Sequence, residues 1–192
     1  MNILEIFTNS ILLIITLDNE LWDIILLSLF VSFTALIIAS LLGFIVGYYF
    51  AIYNFYFKKI ILIIINSLMG IPPVVVGLIV YFIFASGGPL GILQLLYTPS
   101  AMIIAQTIII FPIIASLSHE IFSKNWFEFK DQIRSLNIPF WGSVKLLFNH
   151  SYFLLITTLL SAFGRAISEV GAVMIVGGNI DHYTRVMTTA IS

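Results

Sequence analysis

The sequence predicts an all-α, polytopic helical membrane protein, and three observations carry that reading. Of its 192 residues 60% are hydrophobic and 9% charged, where a soluble domain carries about 25% charged residues. Residues 24–57 and 60–119 hold no Asp, Glu, Lys or Arg, and each run exceeds the ~20 residues that cross a hydrocarbon core. Mean hydropathy is +1.12. In water such a chain would expose apolar patches far beyond a few hundred Å²; lipid as the solvent removes the conflict.

The elements follow in order. Residues 1–23 read as an outer interfacial segment, with a helix over 3–17. Glu5 interrupts its apolar run, and no basic region or small-residue cleavage site marks a signal peptide. A first span covers 24–57; Gly43 and Gly47 give it a small-xxx-small face for close packing, and Lys58-Lys59 stops it. A second span covers 60–85 and ends at the Ser86-Gly87-Gly88-Pro89 turn cluster. Leu90 to Leu96 is apolar and suits the interface. A third span covers 100–118, opened by Tyr97-Thr98-Pro99-Ser100. Residues 120–145 turn polar and aromatic, which suggests two short solvated helices separated at Asn137-Ile138-Pro139. A fourth span covers 151–178, and 184–192 reads as helical. The whole is one transmembrane domain.

Six of the eight Lys and Arg fall at 58–59 and 124–145. The positive-inside rule places both segments in the cytoplasm, so the N-terminus and the 86–99 loop are expected outside. Four spans leave the chain's end outside, and a final C-terminal span is expected to be missing.

Several classes are excluded. A net charge of -1 offers no basic footprint for nucleic acid. There is no cysteine, hence no disulfide and no thiolate metal site. No G-x-x-x-x-G-K-[ST] loop occurs, so the chain has no nucleotide site of that kind. His119, His150 and His182 are scattered, and we assign no metal, no catalytic residue and no enzymatic activity. A secondary transporter working alone would favour relay carboxylates or inverted repeats in the spans. Only Glu169 is a candidate, and no clear repeat is visible.

Some residues are candidates for transport. Pro72-Pro73 in the second span removes two backbone donors, and such a break in lipid needs protein or water to satisfy the freed groups. It reads as a broken helix beside a pathway or as a packing kink; Pro112 reads the same way, more weakly. Arg165 and Glu169 sit at i and i+4 and can pair. Charges inside a span are costly, so the two are either a self-satisfied ion pair or an anion-attracting group with its positioner. Gly171, Gly177, Gly178 and Asn179 make either a helix end or a gate hinge. Trp126, Phe127, Phe129, Phe140 and Trp141 are either interface anchors for a partner or membrane-interface aromatics.

The stretch Gly164-Arg165-Ala166-Ile167-Ser168-Glu169-Val170-Gly171-Ala172, continuing to Val176-Gly177-Gly178-Asn179-Ile180, resembles the late transmembrane signature of ABC importer permeases for oxyanions. With Thr184-Arg185 and Thr188 to Ile191 following, the form is most similar to tungstate permeases; molybdate and sulfate permeases are close relatives. Pro72 to Leu78 also resembles their second core span. The family's cytoplasmic loop, E-A-A-x-x-x-G, aligns with Asp131 at the Glu, Gln132 and Ile133 at the alanines and Asn137 at the Gly; Asn149 and His150 depart from its closing Leu-Pro. The resemblance covers about residues 24–192. It implies a type I, MetI-like permease fold in the cell membrane and uptake of an oxyanion, tungstate first. It implies coupling to an ATPase through Asp131, Gln132, Arg134, Leu136 and Asn137, and a pathway or gate at Pro72, Pro73, Arg165, Glu169, Gly178 and Asn179. The implied partners are a second permease copy, ATPase subunits carrying ATP and Mg, an external oxyanion-binding protein and membrane lipid.

Overall fold

The computed structural model describes residues 19–191, and all regular elements among them are helical. They are α1 (Asn19–Ile52), α2 (Lys58–Leu68), α3 (Pro73–Phe84), a 3-10 turn (Gly91–Leu93), α4 (Pro99–Ser135), α5 (Phe140–Ile167), α6 (Gly171–Gly177) and α7 (Met187–Ile191). α1, α4 and α5 are each long and apolar enough to cross a membrane. α2 and α3, bent by 102°, together make a fourth candidate. The chain is a multi-pass helical membrane protein. The interfacial helix expected over 3–17 lies outside the described residues.

α1 packs along α4 through a stripe of small residues four apart. Ala35, Ala39, Gly43, Gly47 and Ala51 are all buried. A Cβ at Gly43 would stand 2.8 Å from Ile114 Cγ2, and one at Gly47 would stand 2.9 Å from the His119 backbone nitrogen. These glycines are therefore required by close approach, which is how helices associate where lipid supplies no hydrophobic drive. Contacts rise together along both helices, so α1 and α4 run parallel. α5 runs back against α4: Asn125 Nδ2 donates to Ser151 Oγ at 2.5 Å near one end, and Gln106 Nε2 donates to the Ala166 carbonyl at 3.1 Å near the other. The main core gathers Val31, Val80, Met102, Ile110, Ala162 and Ala172. A second cluster joins Tyr48, Phe122 and Leu147 at the basic end. There Tyr48 stacks edge-on against Phe122, with ring centroids 5.6 Å apart, and its hydroxyl shares a 3.0 Å hydrogen bond with Ser143.

The structure moves several boundaries. Residues 19–23 belong to α1, and the first helix ends at Ile52 rather than at residue 57. The second span is two helices. The third span and the first solvated helix are one helix of 37 residues. Residues 120–135 are rich in good helix formers and hold no Gly or Pro, so nothing in the backbone ends the helix where its environment changes. Pro112, buried inside α4, does not break it. The second solvated helix and the fourth span are likewise one helix from Phe140, which stops at Ile167, short of residue 178.

Candidate functional site

The candidate residues fall into two groups at opposite ends of α5. Arg165 lies 25 positions from Phe140 on this helix, which is about 38 Å at 1.5 Å per residue.

The first group surrounds two breaks in the helices. α2 ends at Leu68 with Met69 as its C-cap, Pro72 caps α3 with φ -59° and ψ 129°, and Pro73 opens that helix. Pro at the first helical position sacrifices a donor that would have had no partner there. α5 ends at Ile167 and is capped by Ser168, whose hydroxyl donates to the Arg165 carbonyl at 3.2 Å. Buried Glu169 then serves both sides of the break. Its Oε2 takes Arg165 Nη1 at 3.2 Å, and its Oε1 takes the Ala172 N–H at 3.2 Å, near the start of α6. A carboxylate is favoured there by the unpaired amides and the helix dipole. Thr188 Oγ1 donates to the Glu169 carbonyl at 2.9 Å.

The two breaks are packed on one another. A Cβ at Gly77 of α3 would stand 2.7 Å from Ala172 Cα, and one at Gly171 would stand 2.5 Å from Val74 Cγ2. Beside them lies a cavity of about 280 Å³, lined by residues that include Ile71, Val76, Thr107, Pro112 and Arg165. Its walls are apolar apart from Thr107 and Arg165. The guanidinium has five N–H donors, so it can present donors to the cavity while holding Glu169. Arg165 and Glu169 form a charge-neutral pair at the wall of this cavity. Among the described residues no three His, Asp or Glu side chains come together as a metal site.

Gly178 and Asn179 terminate α6. Gly178 has φ +73° and Asn179 φ +49°, both left-handed, the conformation glycine and asparagine adopt most readily. Buried Thr184 donates to the Gly177 carbonyl at 2.6 Å and accepts the Ile180 N–H at 2.9 Å. The Tyr97 N–H donates to the Val176 carbonyl at 2.8 Å.

The second group is the tip of the α4–α5 hairpin. The Ile138 N–H donates to the Ile133 carbonyl at 3.0 Å and the Asn137 N–H to the Arg134 carbonyl at 3.1 Å. With Asn137 at φ +48°, this is the Schellman pattern of a helix C-terminus. Asp131, Gln132, Arg134 and Leu136 are exposed around it. Phe127 is 75%, Leu136 73% and Trp141 78% exposed, so the tip presents large apolar side chains among charges.

Reasoning from the sequence missed Gln106, Ser28, Thr184 and Thr188. Gln106 ties α4 to the last turn of α5, and Ser28 Oγ accepts the Met187 N–H at 2.8 Å. The available signal for Gln106 was an amide inside an otherwise uncharged apolar run, since a polar group there needs a partner.

A hairpin of two long spans, beside a pair of broken helices, defines a polytopic helical membrane protein. Relatives place it more narrowly. The chain is 40% identical over 190 residues to the tungstate uptake system permease protein TupB of Peptoclostridium acidaminophilum, covering 99% of this chain and 83% of that one. It is 38% identical over 170 residues to a probable anion ABC transporter permease protein of Haloferax volcanii, covering 86% and 73%. It is also 40% identical over 141 residues to the TupB permease of Campylobacter jejuni, covering 73% and 59%. No protein-family model matches the chain. The chain belongs to the family of ABC transporter permeases.

Proposed function

We propose that the chain is the membrane-spanning subunit of an ATP-driven importer for an oxyanion, with tungstate as the substrate. Similarity over 99% of the chain to a permease named for tungstate uptake carries the substrate reading. The hairpin tip supports the coupling. Its cap at Asn137 stands where the family's loop carries Gly, with Asp131 one turn and a half earlier. Exposed Leu136 and Trp141 offer apolar anchors for a partner groove. ATPase subunits, with their ATP and Mg, dock on this tip at residues 124–145, and closing them displaces it. α4 and α5 are unbroken from the tip to the level of Arg165, so the displacement is carried to the broken helices as rigid rods.

Two copies, in a MetI-like arrangement, enclose the pathway, which passes Pro72, Pro73 and the Arg165–Glu169 pair. Gly178 and Asn179 border it at the outer side, where an external binding protein delivers the anion. The two basic segments, 58–59 and 124–145, face the cytoplasm, and the N-terminus lies outside. Replacing Asp131–Asn137 by a Gly/Ser linker abolishes co-purification of the ATPase subunit while the permease still accumulates in the membrane. Retained assembly would overturn the coupling role. Uptake assays with labelled tungstate, competed by molybdate and by sulfate, test the substrate: stronger competition by sulfate than by molybdate would overturn it.

A further inference from the structure

Gln106 carries a polar atom that its protein neighbours leave unmatched. Its Nε2 donates to the Ala166 carbonyl at 3.1 Å. Its Oε1 is buried and meets no donor among the described residues. Turning the amide over gives no remedy, because Oε1 would then face the Ala166 carbonyl, acceptor against acceptor. Gln106 is only 4% exposed and lies inside the charge-free run 60–119, so neither bulk water nor lipid supplies the donor. A buried acceptor without a partner carries its full desolvation penalty, and folded proteins pair such atoms with protein or with ordered water.

A second observation lies beside it. Gln106 lines a small pocket together with Ser28 and Ser32 of α1, Glu169 and Thr188. About 10 Å³ of this pocket is open to the centre of a water molecule, which is room for about one water. Ser28 and Ser32 stand four apart, on one face of α1. The Ser28 hydroxyl is engaged: it donates to the Ile24 carbonyl at 2.6 Å and accepts the Met187 N–H at 2.8 Å. Thr188 is engaged with the Glu169 carbonyl. The Ser32 hydroxyl is buried and makes no hydrogen bond among the described residues. Glu169 spends one bond on each carboxylate oxygen, from Arg165 and from the Ala172 N–H. A carboxylate has about four acceptor sites, so capacity remains.

We propose that this pocket is a binding site for a single water molecule, which donates to Gln106 Oε1 and to the Glu169 carboxylate and accepts from the Ser32 hydroxyl. About three bonds are the usual complement of a buried water. The chemistry of the walls selects this occupant. They offer acceptors and one free hydroxyl, so an anion finds too few donors. Arg165 already neutralises Glu169, so a cation would leave an unpaired charge inside the bundle, which is costly. A neutral molecule that both donates and accepts fits. The water ties α1 and α4 to the α5–α6 break at Glu169. The site needs only the fold and does not depend on what the protein transports.

The full chain in lipid nanodiscs, solved at a resolution that shows ordered water, tests the site directly. The expected result is a density peak about 2.7–3.1 Å from both Gln106 Oε1 and Ser32 Oγ. A pocket without density, a direct Gln106–Ser32 hydrogen bond, or a peak at the roughly 2.0–2.6 Å of a hard cation would overturn it. Thermal unfolding of Ser32→Ala and Ser32→Val gives a second reading. Valine puts a methyl group where the water sits and strands Gln106 Oε1, whereas alanine leaves the water room. The midpoint of Ser32→Val is expected at least about 2 °C below that of Ser32→Ala. An equal or higher midpoint would mean a dry pocket that welcomes a methyl group, and would overturn the site. In a Gln106→Leu background no acceptor is left to strand, so the difference between the two variants is expected to shrink. A difference of unchanged size would mean plain crowding at Ser32 and would count against the water.

Discussion

Glu169 is one side chain at the junction of three segments: the end of α5, the start of α6 and the C-terminal stretch reached through Thr188. Its two carboxylate oxygens are divided between Arg165 and the Ala172 amide. The ion pair is satisfied, and it stands at a helix break beside a cavity. Asn137 gives the cleanest test at this scale. A non-glycine residue in the left-handed region costs about 1–2 kcal/mol, less for Asn. Asn137→Gly should therefore leave thermal stability and ATPase assembly unchanged or slightly improved. Asn137→Val should lower stability by about 1–2 kcal/mol in detergent unfolding. Equal stability of the two variants would contradict the cap.

At the scale of the element, the α4–α5 hairpin matters most. Its helices were expected to change at the membrane surface, since composition changes there. Composition reports the solvent, however, and helix termination needs a backbone cause. The first such cause is Asn137-Ile138-Pro139, and the chain turns there. Continuity of α4, 37 residues and about 55 Å long, makes it a lever. Ser123→Pro, placed between tip and span, removes a helical hydrogen bond at a cost of about 3 kcal/mol. ATPase binding at the tip should persist while ATP-driven uptake falls severalfold; Ser123→Ala should retain uptake. Wild-type uptake in the proline variant would contradict a rigid lever.

For the whole molecule, the fold brings the two basic segments to the same end of the bundle, since Tyr48, late in α1, meets Phe122 and Ser143. Glu20, Asp23, Asp181 and Arg185 border one cavity at the other end. With the basic end in the cytoplasm, a thiol at Arg134→Cys in the cysteine-free chain should resist an impermeant reagent in intact cells. It should react once the membrane is opened. Labelling in intact cells would invert the topology and remove the docking surface from the ATPase side.

The solvent and the punctuation were legible in the sequence. Charge-free runs announced the membrane, Pro72-Pro73 announced a broken helix, and Asn137-Ile138-Pro139 announced the hairpin turn. These are local properties: hydrophobicity summed over a window, or a residue whose own backbone preferences forbid continuation. Partnership was not legible. That α6 folds onto α3 through Gly77 and Ala172, that Gln106 caps the end of α5, and that Ser28 receives Met187 from 159 positions away depend on which surfaces meet. In helices apolar on every side, hydrophobicity does not choose a face. Close steric fit and a few hydrogen bonds choose it, and those exist only once the chain has folded.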